Sequence, residues 1–314
     1  MRRLCATAAA LLLAMEPTAD ALIVRHDVSA DDYLVADADY PALVDLFGPG
    51  DCIGTLIHPS FLLTVAHCAS DLQVGSTLQI NGVANTIAEI IVHPGWNDDL
   101  DQRDIGLVRL LQPVTGVTPL PIYRGSGELG SIITLVGRGI TGTGLKGEAG
   151  GTHDGKLRRV TNVVSAADEQ TLQIVFERSD QAGVTDLEGV GAEGDSGCPG
   201  FIEVDGVSHV AGLNSYSDAE NDDEVAIYGS RDYQTRVSRY VGWLETHVHF
   251  SPDAADPDTD PGINAGAAIG ETDTGGCSAA GSRPGGDPLS ALLLALVALG
   301  LVARRPASPD EPGS

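Results

Sequence analysis

Short apolar runs separated by turn-forming residues dominate the centre of the sequence. The runs are rich in Val, Ile and Leu, and Gly, Pro, Asn and Asp stand between them. They occupy residues 55–57, 62–65, 78–80, 87–92, 105–111, 132–136, 171–176 and 207–213. Runs of this length and composition are typical of β-strands, so the pattern predicts a strand at each position.

One segment, residues 236–247, has helical spacing instead. Its apolar side chains Val237, Tyr240, Val241 and Leu244 stand at i, i+3, i+4 and i+7, which places them on one face of a helix. The whole pattern therefore predicts an all-β barrel or sandwich that is closed by one C-terminal helix.

The N-terminal end has the pattern of a secretory signal peptide, residues 1–21. Two arginines precede an apolar run over residues 4–15, and Ala19-Asp20-Ala21 forms a small-x-small cleavage site before Leu22. The run is shorter than the roughly 20 residues of a membrane span. Cleavage would remove Cys5, and export would bring the other cysteines into an oxidising compartment.

The C-terminal end has three parts. Residues 251–276 are rich in Asp, Pro, Gly and Ala without an aromatic residue, which predicts a disordered acidic linker. Cys277 follows a Gly-Gly pair, and a short apolar helix is predicted at 289–303, directly before two arginines. This order resembles the C-terminal sorting signals of myxobacteria and related Gram-negative bacteria.

That resemblance implies that residues 277–314 are a sorting signal with Cys277 as its processing point. The protein is then expected outside the inner membrane, at the cell surface or associated with the outer membrane. Two alternatives stay open. The apolar helix can remain as a permanent membrane anchor, or cleavage in the linker can release a secreted form.

Charge and motif content exclude several classes of function. The chain has 44 acidic and 18 basic residues, a formal net charge of −26, which argues against a nucleic-acid partner. No CxxC pair and no HExxH spacing occurs, so neither a metal nor a cofactor is expected. The sequence does not indicate an oligomeric state.

Three motifs hold the residue types needed for acyl transfer to a serine. This chemistry requires a hydroxyl, a base, a carboxylate that orients the base, and donors for the developing oxyanion. His67 lies in the string TVAHC, Asp104 begins DIGLVRL, and Ser196 lies in EGDSGCP. They follow in the order His, Asp, Ser, with separations of 37 and 92 residues.

These strings, together with CIGTLIHPSFLLTVAHC and the ending RVSRYVGWLETHV, resemble the trypsin-like serine proteases. The resemblance covers roughly residues 23–249. It implies a chymotrypsin-like domain over 22–250, with two six-stranded β-barrels and a C-terminal helix. It also implies a serine endopeptidase that acts on protein or peptide substrates.

The resemblance implies a role for each residue of the motifs. His67 becomes the general base, Asp104 its orienting carboxylate and Ser196 the nucleophile. The backbone N–H groups of Gly194 and Ser196 become the oxyanion hole, and Asp195 becomes the buried support of the loop that forms it.

The cysteines follow the family only in part. The resemblance implies a disulfide between Cys52 and Cys68, which would fix the turn that carries His67. Ala192 stands where the family has another half-cystine, so we expect Cys198 to be a small buried thiol.

The mature N-terminus also departs from the family, in which a freed Ile-Val amine pairs with the aspartate before the nucleophile. Here Ile23-Val24 is preceded by Leu22 and followed by Arg25-His26. Either Leu22 is trimmed to free the Ile23 amine, or another group supports Asp195. With little room for a propeptide, we expect activity on export.

Val190, Ser215, Tyr216 and Ser217 align with the family's substrate pocket, and Asp232 is a further candidate on the strand that leads to the last helix. Val190 stands where trypsin has an aspartate, and Ser217 stands where glycine is frequent. This combination predicts small or medium apolar residues before the scissile bond. If Asp232 reaches the pocket, a preference for Arg or Lys is the alternative.

Two other functions remain as alternatives at this point. The chain can be a surface-displayed binding module that keeps the fold without activity, or a serine esterase.

Overall fold

The computed structural model describes residues 22–100, 102–149, 151–218 and 225–250. The signal peptide, the whole linker, Cys277 and the sorting tail lie outside these residues, and those predictions stay untested. Within them, no helix is long and apolar enough to cross a membrane.

Sixteen strands and two short α-helices form the described part of the chain. The strands are β1 (Leu22–Val24), β2 (Leu43–Gly48), β3 (Asp51–His58), β4 (Phe61–Thr64), β5 (Thr77–Ile80), β6 (Val83–Val92), β7 (Gly106–Leu110), β8 (Ile132–Gly137), β9 (Thr141–Thr143), β10 (Arg158–Val163), β11 (Ala166–Ala167), β12 (Thr171–Val175), β13 (Gly189–Val190), β14 (Pro199–Val204), β15 (Val207–Asp218) and β16 (Arg231–Arg236). The helices are α1 (Ala66–Asp71) and α2 (Val241–His247). Every predicted strand is present.

Two curled sheets organise the molecule, which confirms the predicted all-β fold class. The first has six strands in the order β2-β3-β4-β7-β6-β5, and the second has seven in the order β10-β8-β14-β15-β16-β12-β11. All pairings within these two sheets are antiparallel. Four of them join strands that are not consecutive in sequence: β4 with β7, β8 with β10, β8 with β14, and β12 with β16.

Each sheet has its own apolar core, and the two cores exchange side chains. Ile53 of the first sheet is buried in the core of the second sheet, while Phe201 and Val210 of the second sheet are buried in the core of the first. Burying one such side chain stabilises a fold by roughly 1.5–3 kcal/mol, so this exchange ties the sheets together. The candidate catalytic residues come from both sheets.

The predicted C-terminal helix is present but begins differently. Val237–Tyr240 form a 3₁₀ turn, and only Val241–His247 are α-helical. β16 runs into this segment at Arg236 without a linker, and Val237 and Tyr240, three residues apart, both face the core. In a 3₁₀ turn the side chains of residues i and i+3 lie on the same side, so this conformation lets Val237 and Tyr240 both be buried.

The start of the described chain is a strand buried on every side. β1 pairs in parallel with β9 and antiparallel with β13, and its residues Leu22, Ile23 and Val24 are at most 2% exposed. These contacts place Leu22 close to the loop that precedes Ser196.

Candidate active site

His67 lies in the first turn of α1, directly after β4. Its backbone N–H donates to Asp104 Oδ1 at 3.0 Å, and its ring Nδ1 lies 2.8 Å from Asp104 Oδ2. An ionised carboxylate only accepts hydrogen bonds, so Nδ1 carries the hydrogen and Nε2 is the acceptor nitrogen. Asp104 thus fixes both the orientation and the tautomer of the ring.

Asp104 precedes β7 and is buried, with its side chain 5% exposed against 32% for that of His67. Ser215 Oγ donates to Asp104 Oδ2 at 2.6 Å, and Thr235 Oγ1 donates to the backbone carbonyl of Asp104 at 2.7 Å. Burial acts to raise the pKa of Asp104, but the hydrogen bonds from His67 and Ser215 outweigh it and hold the pKa below its usual value. The carboxylate is therefore ionised at neutral pH.

Ser196 lies in the loop directly before β14 of the second sheet. Its carbonyl accepts a hydrogen bond from Ile53 N–H at 2.8 Å, next to Cys52 in β3. Gly197 has a φ of +76°, and a Cβ there would lie 2.3 Å from both Ile53 O and Thr64 Oγ1. Only glycine fits this approach, so the glycine after Ser196 lets the loop pack against the strands that lead to His67.

A disulfide joins Cys52 to Cys68, as the family resemblance implied. It connects β3 to the residue after His67 with a Cα–Cα distance of 6.1 Å. The Cys52, Cys68 and His67 donor atoms lie within 4.8 Å of one another, but both sulfurs are in the disulfide and neither is a thiolate ligand. The bridge anchors the turn that presents His67.

The segment around Ser196 has nearly all its backbone N–H groups paired. The donors are Ala192 to Asp195 Oδ2 (3.1 Å), Glu193 to Glu148 Oε1 (2.7 Å), Asp195 to Ala192 O (2.9 Å), Gly197 to Asn214 O (2.8 Å) and Cys198 to Asp195 O (3.0 Å). Among the described residues, the N–H groups of Gly194 and Ser196 have no hydrogen-bond partner. The segment that holds Ser196 therefore has two unpaired N–H donors, on Ser196 itself and two residues before it.

Gly194 has the backbone conformation that this arrangement needs. Its φ is +90°, and a Cβ would lie 2.1 Å from Gly50 O. The preceding carbonyl, Glu193 O, accepts from Ile140 N–H at 2.7 Å. The C=O and N–H of a trans peptide point in opposite directions, so Gly194 N–H points away from Ile140.

Asp195 lies beneath this loop and is fully buried. It accepts from Gly139 N–H at 2.7 Å and from Ala192 N–H at 3.1 Å. A Cβ on Gly137 would lie 2.2 Å from Asp195 Oδ1 and 3.4 Å from Leu22 Cδ2, so Leu22 is its neighbour. Burial raises the pKa of Asp195 to about 7. A cationic neighbour would reverse that shift.

Among the candidate pocket residues, the structure joins Ser217 and Asp232, which face each other across β15 and β16. Asp232 is buried and accepts from Ser217 Oγ at 3.2 Å and from Gly191 N–H at 3.0 Å. Burial raises its pKa to about 7. Val190 instead packs in the apolar core and pairs with Ile23.

Tyr216 stacks on Tyr233 of the neighbouring strand, with ring centroids 4.6 Å apart and planes 13° apart. Both rings are partly exposed, and Tyr216 directly follows Ser215. The Tyr216–Tyr233 pair therefore forms a partly exposed aromatic surface next to Ser215, which binds Asp104.

Sequence reasoning missed two residues of the site. A Cβ on Gly191 would lie 2.5 Å from the Asn214 amide atoms, so that amide occupies the space beside Gly191. Glu148 binds the Glu193 N–H from a loop 45 residues away. Asn214 directly precedes Ser215 and could have been found by extending the pocket alignment by one residue, whereas no motif marks Glu148.

Comparison with known proteins gives one matching family model, described as Trypsin, over residues 34–244. Vitamin K-dependent protein C of Mus musculus is 26% identical over 220 residues, 63% of this chain and 46% of that protein. Trypsin-1 of Astacus astacus is 26% identical over 218 residues, 63% of this chain and 87% of that protein. Brachyurin of Leptuca pugilator is 26% identical over 215 residues, 64% of this chain and 89% of that protein. The chain spans slightly less than half the length of protein C.

Proposed function

The chain belongs to the trypsin family of serine proteases, and we propose that it is a serine endopeptidase that acts through an acyl-enzyme on Ser196. The observation that carries the proposal is the combination of two unpaired N–H groups, on Gly194 and Ser196, with an oriented His67–Asp104 pair. A nucleophile, an oriented base and donors for an oxyanion are the parts that acyl transfer requires.

Each residue has a defined step. Ser196 Oγ attacks the scissile carbonyl while His67 Nε2 takes its proton, and Asp104 stabilises the resulting imidazolium. The carbonyl oxygen becomes an oxyanion that accepts from the N–H groups of Gly194 and Ser196, each worth about 10²–10³ in turnover. His67 then gives the proton to the leaving amine, and a water molecule repeats the sequence to release the acid.

For maturation, we propose that Leu22 rather than Ile23 is the first residue of the active form. Leu22 is fully buried beside Asp195, and its φ of 60° is unfavourable for a leucine inside a chain. Cleavage after Ala21 removes that constraint, because a first residue has no φ. We infer that the freed amine can reach the buried Asp195 carboxylate, because the Leu22 side chain is a neighbour of that carboxylate, so no trimming of Leu22 is needed.

For specificity, we propose a preference for small or medium apolar residues before the scissile bond. The Asn214 amide beside Gly191 and the Ser217 hydroxyl both reduce the space for the substrate side chain. Asp232 already receives hydrogen bonds from Gly191 and Ser217, so it is less free to pair with a basic side chain. Its raised pKa also weakens its negative charge near pH 7. A preference for Arg or Lys through Asp232 is the alternative, and it would grow with pH as Asp232 ionises.

For location, we propose export by residues 1–21 and attachment to the cell surface through the tail at 277–314, with the domain on the 251–276 linker. This part rests on the sequence patterns alone.

The test is mass-spectrometric profiling of a peptide library with the purified wild-type protein and Ser196→Ala. We expect cleavage by the wild type alone, mainly after small or medium apolar residues at pH 6 and pH 8.5. Cleavage mainly after Arg or Lys that Asp232→Asn abolishes would replace the specificity proposal. No peptide cleavage by a protein whose folding is verified by circular dichroism would overturn the endopeptidase proposal, and ester hydrolysis alone would identify an esterase.

A further inference from the structure

Glu148 makes an unusual contact with the loop that precedes Ser196. Its Oε1 accepts from the backbone N–H of Glu193 at 2.7 Å, across 45 residues of sequence. Among the described residues, no other side chain from outside residues 192–198 accepts a hydrogen bond from the N–H groups of that segment. The contact lies one residue before Gly194, whose N–H is a proposed oxyanion donor.

The loop that presents Glu148 is anchored on both sides. Glu148 N–H donates to Val225 O at 3.2 Å, and Gly151 N–H donates to Glu148 O at 2.9 Å. Earlier in the loop, Gly144 N–H donates to Val24 O at 3.0 Å and Gly144 O accepts from Tyr228 N–H at 2.9 Å. The carboxylate is therefore held by a backbone with fixed neighbours.

Glu193 is fixed at both of its backbone polar atoms, by Glu148 at the nitrogen and by Ile140 at the oxygen. If the peptide between Glu193 and Gly194 rotated, a carbonyl oxygen would replace the Gly194 N–H and repel the oxyanion. Holding Glu193 at two points opposes that rotation. Donors held in place before the reaction are what make such a site effective.

We propose that Glu148 is a positioning residue that keeps the Gly194 N–H directed at the oxyanion. This inference rests on the proposed endopeptidase function and adds a residue to it that lies outside the three motifs. Glu148 does not touch the reacting atoms and acts through the Glu193 backbone.

The charge of Glu148 gives the proposal a pH signature. Burial raises the pKa of Glu148, the hydrogen bond from Glu193 N–H opposes this, and the neighbouring Glu193 carboxylate adds to the rise. An ionised acceptor makes a hydrogen bond roughly twice as strong as a neutral one, so protonation of Glu148 weakens its hold on Glu193. Turnover should therefore decline toward acid pH partly through Glu148.

The test compares wild type, Glu148→Ala, Glu148→Gln and Lys146→Ala, a matched control at an exposed position of the same loop. The best substrate from the library is used, with active sites counted by fluorophosphonate titration. In Glu148→Ala we expect kcat per active site to fall about tenfold, the kinetic equivalent of one net hydrogen bond, with KM changed less than about twofold. Glu148→Gln keeps an acceptor and should recover most of kcat, while Lys146→Ala should match wild type.

Two further measurements separate positioning from a general structural role. A peptide aldehyde, whose Ser196 adduct places an oxyanion in the same site, should bind Glu148→Ala more weakly by the same factor as kcat falls. The ratio of wild-type to Glu148→Gln kcat should decrease from pH 8 to pH 5.5, because only the wild type loses charge at this position.

An unchanged kcat and aldehyde affinity in Glu148→Ala would overturn the inference while leaving the endopeptidase function intact. Equal losses in Glu148→Ala and Glu148→Gln, accompanied by a lowered melting temperature, would also overturn it and assign a structural role. An inactive wild type would instead be a failure of the proposed function.

Discussion

The Ser215 hydroxyl donates a 2.6 Å hydrogen bond to Asp104, on the same carboxylate oxygen that faces the His67 ring. Asp104 is thus held from β15 of the second sheet while it orients a base that belongs to the first. The alignment of the two sheets at the site depends in part on this contact.

Removing the Ser215 hydroxyl should reduce turnover moderately. In Ser215→Ala, Asp104 keeps its two bonds to His67 and loses one of three donors, so we expect kcat to fall by about three- to tenfold, the kinetic equivalent of one net hydrogen bond. In Asp104→Asn the ring tautomer is lost as well, and we expect a fall of about 10⁴. Steady-state kinetics on one peptide substrate checks both, and equal effects of the two variants would contradict this division of roles.

The N-terminus should control activity through Leu22 and Asp195. A protein that begins at Leu22 should be fully active, because its free amine can pair with the buried carboxylate. The same protein with one alanine before Leu22 should lose at least about tenfold in kcat/KM, since a displaced amine leaves a buried charge unpaired. Kinetics combined with N-terminal mass spectrometry checks this, and full activity of the extended form would show that Asp195 needs no amine.

The stability that protonated Glu188 and Asp232 contribute should fall as pH rises from about 4 to about 7. Burial raises the pKa of Glu188 and of Asp232 to about 7. Between an unfolded pKa near 4 and that value, the folded state binds more protons than the unfolded state, so the unfolding free energy decreases with pH. Melting curves across this range should show the trend, and Glu188→Gln should flatten it.

The exposed Glu203 supplies the control for that measurement. Glu203→Gln should leave the pH dependence of the melting temperature as in the wild type. A Glu188→Gln protein with the wild-type pH dependence would show that Glu188 does not retain its proton in the folded state.

The Cys52–Cys68 disulfide should contribute measurably to stability. It closes a loop with a sequence separation of 16, and its loss should cost about 3 kcal/mol in the chain-entropy model. Urea denaturation of the Cys52→Ala/Cys68→Ala variant checks this. Reductant should destabilise wild type and Cys198→Ala but not the double variant, because Cys198 is a buried free thiol. If reductant destabilised all three proteins equally, the Cys52–Cys68 disulfide would not be the bond that reductant breaks.

The sequence predicted the strands whose apolar runs are continuous, such as those that became β4, β7 and β8. The other eight strands are not among the predicted runs. In two of them, β10 and β16, charged residues interrupt the pattern: Arg158 is fully buried and paired with Asp154, and Asp232 is buried with hydrogen-bond donors. The donors Gly191 and Ser217 that bind Asp232 come from elsewhere in the chain. A periodicity argument, which assumes polar positions are exposed, cannot see them.

The same limit applies to the site. His67, Asp104 and Ser196 were predicted because each lies in a short local motif. Glu148 was not, because its role depends on a contact with a backbone N–H 45 residues away. The place of Leu22 beside Asp195 also depends on strand pairing between β1, β9 and β13, and none of the three has a distinctive local pattern.

The central claim is that Ser196 is an activated nucleophile, and covalent labelling by a fluorophosphonate tests it most directly. The protein beginning at Leu22 should be labelled at one site per molecule, and peptide mapping by mass spectrometry should place the label on Ser196. Ser196→Ala should not be labelled, and His67→Ala should be labelled far more slowly. Absence of labelling in the folded wild type, or a label on another residue, would contradict the account.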